Sequence, residues 1–161
     1  MSDTDINPEI VKELERVNKV WNDLIQNLHE KSNKDRVTAI LVQVMIEYYV
    51  DRMLTIKGII KSPDDLRYDL KLDELKKLKL IDSNLAESLL RIYKIRNIYS
   101  HEIEIHKKQI LDLIDGISSV GDTTRFQASE RVDKVREIIV RQVQRTYMDI
   151  LVRKQEKSEK S

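Results

Sequence analysis

The sequence predicts an all-α fold, an up-and-down bundle of about five or six helices. Apolar residues recur at three- and four-residue spacings along nearly the whole chain, and nothing in it looks like a strand-rich domain. Glycine and proline together number only five in 161 residues, as 3 Gly and 2 Pro, too few for the tight turns of a sandwich or barrel. That length suits one domain with its own core. We assign it residues 1–155 and leave 156–161 as a frayed polar tail.

The first helix opens with Asn7 as cap, Pro8 at the first helical position and Glu9 in the first turn. Its apolar residues Ile10, Leu14, Val17, Trp21, Leu24 and Leu28 form a narrow seam suited to one partner helix, and "HEKSNKD" ends it. The second helix runs from about Asp35, as cap, to Lys57 or Gly58. Val37, Ile40, Leu41, Val44, Met45, Tyr48, Tyr49 and Met53 cover most of its circumference, which makes it the central helix. One strip differs: Arg36, Gln43, Glu47 and Asp51 fall within roughly 80° at about 100° per residue. Such a strip is either solvated or a polar wall facing a site.

After "KSPDDLRYDL", a short helix over "DELKKLKLI" is expected to start at Asp73 and pack Leu75, Leu78 and Leu80. A fourth helix spans Asp82 to Tyr99, with Ser83 or Asn84 as cap and Glu87 completing a box with Asn84. "SHEIEIH" interrupts the pattern. A fifth helix runs from about His106 to Ser118, and "SSVGDTT" breaks the chain again. The last helix, from about Ala128 into the 150s, turns Val132, Val135, Ile139, Val143, Tyr147 and Ile150 inward.

The fourth helix contains the anomaly. With Leu85 at zero on a helical wheel, Leu89, Ile92 and Tyr99 lie within about 40°, and Arg96 lands near 20°, in the centre of the apolar stripe. A guanidinium taken from water without compensation costs several kcal/mol. A buried carboxylate would compensate, with Glu47 and Asp51 as candidates; so would a polar cleft or a neighbouring subunit. On an unbroken helix His101 would sit about 140° from Arg96, but a break from Ser100 to Glu104 can return its imidazole toward the guanidinium. The pair then suits metal-independent RNA cleavage: histidine moves the proton, arginine neutralises the phosphate, and Asn97 holds either. Tyr99 is either core or a stacking surface.

At "RNIYSH" the sequence resembles the HEPN superfamily, whose members carry an Arg, four to six residues, then His. "DRVTAILVQVMIEYYVDRML", "RYDLKLDELKKLKLI" and "LLRIYKIRNIYSHEI" look like its mannitol operon repressor branch, over roughly Asp35 to His106. The resemblance implies a helical bundle that often dimerises, with two Arg–His pairs along one interfacial cleft, and in its catalytic members an endoribonuclease that cuts single-stranded RNA, often in stress or host defence. It carries over Arg96 as phosphate binder, His101 as acid/base and Asn97 as positioning group; Asp35, Arg36 and Glu47 match the branch pattern. The alternative is a non-catalytic regulatory or interaction module, like the repressor relatives, with a protein partner or antitoxin. A third reading is a scaffold assembled through the Ile10–Leu28 seam.

Several classes are set aside. There is no cysteine, hence no disulfide or thiolate site, which suits a cytoplasmic setting. His29, His101 and His106 lack metal-binding spacing, so neither metal nor cofactor is expected. No phosphate loop, dinucleotide fingerprint or nucleophile elbow occurs. The opening "MSDTDINPEI" lacks the features of a signal peptide, and the most apolar stretch, Val37 to Met53, is too polar and short to span a bilayer. Lys and Arg total 29 against 28 Asp and Glu, so any RNA contact must be local.

Overall fold

Six α-helices account for most of the computed structural model, which describes residues 8–29, 34–101, 107–117, 121 and 127–159. They are α1 (Pro8–His29), α2 (Lys34–Ile56), α3 (Tyr68–Lys77), α4 (Ser83–His101), α5 (Lys107–Asp115) and α6 (Ala128–Glu159), with one 3-10 turn over Pro63–Asp65. No strand occurs among the described residues. The expected all-α bundle is the observed architecture.

Helix α2 is the centre, as its apolar circumference requires. Ile46, Tyr49, Val50, Met53 and Leu54 are fully buried, and α2 touches α1, α3, α4 and α6. Its end is closed by Gly58, whose φ of 71° allows a left-handed turn: Ile59 N–H donates to the Leu54 carbonyl and Gly58 N–H to that of Thr55. Contacts fix the helix directions. Tyr49 meets Gln144 and Tyr147 of α6, and farther along Ile56 shares a groove with Ile150, so α2 and α6 run parallel. Leu85, near the start of α4, lies beside Gln142 and Thr146, whereas Tyr99, near its end, lies under Arg136. Helix α4 therefore runs antiparallel to both, and its last turns share one end of the bundle with the start of α2.

The inward set of α6 is as expected: Val135, Ile139, Val143, Tyr147 and Ile150 are buried, with Val132 packed at the edge of the core. Helix α1 is held less deeply. Ile10, Leu14, Val17 and Trp21 are only half-buried, and the Asn18 side-chain Oδ1 accepts a hydrogen bond of 2.9 Å from Gln144 Nε2. The side chains of Leu24 and Leu28, and the expected Asn7 cap, lie outside the described residues.

Several local expectations are corrected. Helix α3 begins at Tyr68, so Asp73 is interior rather than a cap; burying Tyr68, Lys71, Leu72 and Leu75 favours the earlier start, and Leu78 is left exposed. The cap of α4 is Asp82, whose Oδ1 accepts from Leu85 N–H at 2.7 Å; Glu87 pairs with Arg91 instead of closing a box. Helix α2 starts at Lys34, which places Asp35 inside its first turn. Val44 is exposed rather than packed. The polar tail continues α6 as helix to Glu159, because residues rich in Lys, Glu and Gln propagate an established helix readily.

Candidate nucleic-acid interface

The polar strip of α2 is not a solvated face. Gln43 is fully buried and donates from Nε2 to Glu47 Oε1 at 2.9 Å. One turn on, Asp51 Oδ1 lies 2.6 Å from Lys71 Nζ of α3, with the two side chains 17% and 8% exposed. Beside them the Tyr68 ring stacks on Tyr93 of α4, centroids 4.9 Å apart. Burial pushes the Tyr68 phenol far above its ordinary range, and the nearby Glu47 and Asp51 carboxylates push it further, with the Gln43 amide opposing them. The strip is thus the polar seam that docks α3 onto α2.

Arg96 lies one turn beyond Tyr93 on α4. Its stripe neighbours Leu85, Leu89, Ile92 and Tyr99 are all buried, as the wheel predicts, and Arg96 itself is half-buried. The expected pairing with Glu47 or Asp51 is not made: Glu47 accepts from Gln43 and Asp51 is paired with Lys71. Arg96 Nη1 instead donates to Asn97 Oδ1 at 2.9 Å. Its Nε is buried and has no hydrogen-bond partner, and among the described residues no carboxylate forms an ion pair with it. Asn97, also half-buried, is the neutral acceptor that orients the guanidinium without neutralising it.

His101 is the last residue of α4 and is exposed. The helix is unbroken through Ser100, so the expected early break is corrected: Arg96 and His101 leave the same helix about 140° apart, and no hydrogen bond joins them. Residues 102–106, including His106, lie outside the described set. Arg36, on the first turns of α2, is half-buried at this end of the bundle. Tyr99 is core, only 8% exposed, and its ring faces the Arg136 guanidinium at 5.8 Å.

Two buried cations were missed by the sequence reading. Arg136 is 2% exposed, with Nη1 3.6 Å from Asp133 Oδ1; it lies about 20° from Val143 on the α6 wheel, which is the signal that could have found it. Lys71 shares the α3 face of Tyr68, Leu72 and Leu75, a signal that emerges once the helix is begun at Tyr68. Among the described residues no group of three or more acids and histidines could hold a metal ion. Nor is any described helix long and apolar enough to cross a membrane.

A family model described as "Domain of unknown function (DUF4145)" matches residues 31–160. It takes in α2 to α6 and omits α1. No curated protein and no solved structure matches the chain.

Proposed function

Because the chain belongs to the DUF4145 family, whose description carries no activity, we propose from its site that it is a metal-independent endoribonuclease of HEPN type, acting on single-stranded RNA as a cytoplasmic homodimer. One observation carries the reading. A half-buried arginine in an apolar stripe is oriented by a neutral amide and has no ion-pair partner among the described residues, so its charge remains available to an incoming phosphodiester. An arginine serving only the fold would be expected to carry a carboxylate, as Lys71 does.

The chemistry follows from the side chains. The His101 imidazole takes the proton of a 2′-hydroxyl, the resulting oxygen attacks the adjacent phosphorus, and the bond to the 5′-oxygen breaks. A protonated imidazole returns a proton to that leaving oxygen, giving a 2′,3′-cyclic phosphate and a 5′-hydroxyl end. Arg96 neutralises the charge that grows on the phosphoryl oxygens, and Asn97 fixes its direction. Since one α4 carries the two groups on different sides, the working site pairs Arg96 of one protomer with the partner's His101 across a two-fold axis.

Pure protein in EDTA is expected to cut single-stranded RNA and leave cyclic phosphate ends, with Arg96→Gln reducing the rate at least a hundredfold and leaving the helical content unchanged. An uncut substrate would remove the nuclease reading. A second reading, a regulatory or interaction module that docks a protein partner, draws on the divergence of imidazole and guanidinium along α4. It expects Arg96→Ala to weaken the dimer or the fold, with no RNA cleavage by the parent protein.

A further inference from the structure

At the opposite end of the bundle, the last turns of α2 and α6 enclose an open groove of about 600 Å³. Its floor is aliphatic, formed by Ile56 and Ile150, and its walls carry Lys57, Arg153, Lys154 and Lys157 against one carboxylate, Glu156. The chain as a whole has only one more cation than anions, 29 against 28. Four cations facing one acid in this groove therefore form a local excess of positive charge that the near-neutral balance of the whole chain does not predict. All four cationic side chains are exposed. Neither Lys57, Arg153 nor Lys154 forms an ion pair with any described residue.

Complementing the helix C-termini accounts for one or two such cations, not for four from two helices lining a common groove. We propose that the groove is a distal anchoring subsite for the phosphate backbone of single-stranded RNA, resting on the nuclease reading above. Tyr99 marks the level of the Arg96 end through its contact with Arg136. From Arg136 to the middle of the Arg153–Lys157 segment, α6 rises about 28 Å at 1.5 Å per residue. A strand stacked at about 3.4 Å per nucleotide needs about eight nucleotides to reach from one end to the other. With no aromatic side chain lining it, the groove holds the strand by charge and carries no base preference of its own.

Fluorescein-labelled 2′-O-methyl oligouridylates of 14 and 5 nucleotides, which cannot be cut because the 2′-hydroxyl is capped, test this. Affinity is measured by anisotropy across a salt series for the wild type, for Lys57→Gln/Arg153→Gln/Lys154→Gln, and for Arg96→Gln. At about 0.7 per phosphate contact on a single strand, the triple variant should lower the slope of log K against log salt by about 2 for the 14-mer. For the 5-mer it should change nothing, while Arg96→Gln weakens both. Equal slopes for the triple variant and wild type on the 14-mer, with Arg96→Gln still weakening both, would overturn the groove alone. Failure of the wild type to bind either oligonucleotide would overturn the nuclease reading with it. An acidic Glu/Leu peptide that binds the wild type but not the triple variant, where RNA does not, would reassign the groove to a protein partner and overturn the inference.

Discussion

Replacing Lys71 by Met leaves the Asp51 carboxylate in a seam from which water is largely excluded. The ammonium now sits 2.6 Å from it, and the two side chains are 8% and 17% exposed. Removing one member of such a pair costs about 3–5 kcal/mol, most of it the penalty for the charge left behind. Asp51 is a little less buried than Lys71, so the lower figure applies, about 3 kcal/mol. In a chain of this size that corresponds to a melting temperature lower by about 6–12 °C. Urea and thermal unfolding followed by circular dichroism at pH 7 measure the loss. The double variant Asp51→Leu/Lys71→Met removes both charges and should recover most of it, giving a large favourable coupling in the mutant cycle. A single variant within about 0.5 kcal/mol of wild type, or a double variant worse than the single, would refute the view that this pair closes the seam between α2 and α3.

Two further outcomes follow from the packing. A Cβ on Gly116 would overlap the Arg91 guanidinium, the far end of a flexible side chain, so Gly116→Ala should displace it, break the 2.9 Å Arg91–Glu87 pair and cost no more than about 0.5 kcal/mol in chemical denaturation; in an Arg91→Ala background the same substitution should be neutral or stabilising. Tyr68 has its folded pKa raised from 10.0 by burial. Above pH 10 the unfolded phenol loses its proton while the folded one keeps it, so stability falls as pH rises. Tyr68→Phe should flatten that alkaline limb by up to about 1.4 kcal/mol per pH unit in urea titrations between pH 10 and 11.

The helices were legible in the sequence because their apolar spacing is regular, and the inward faces of α4 and α6 follow from the wheel almost residue for residue. Their starts were not. Asp73 and Asn84 carry good capping side chains, but burial of Tyr68 and Leu72 pulled α3 earlier, and Asp82, one residue before the expected pair, reached the free Leu85 N–H first. The polar strip of α2 was recognised, yet what it faces depends on Lys71, a residue whose type argues for the surface until α3 is correctly placed. Arg96 stood out because the stripe around it is clean. Arg136 escaped notice although it sits in an equally apolar register, since a lone arginine in a long, highly charged helix does not interrupt its pattern. The relation of Arg96 to His101 was the hardest to read: it turned on whether α4 ends before or after Ser100, and helix ends are fixed by tertiary packing more than by local sequence.

Mixing two inactive proteins tests the central claim, that Arg96 and the partner's His101 complete one cleavage site. Arg96→Gln and His101→Ala, each helical and dimeric, are unfolded together, refolded at equal concentration and assayed on single-stranded RNA in EDTA. Random pairing in a two-fold dimer should restore about a quarter of wild-type activity, because half the dimers are mixed and each holds one intact site of two. A mixture as inactive as its components, or full cleavage by His101→Ala alone, would contradict it.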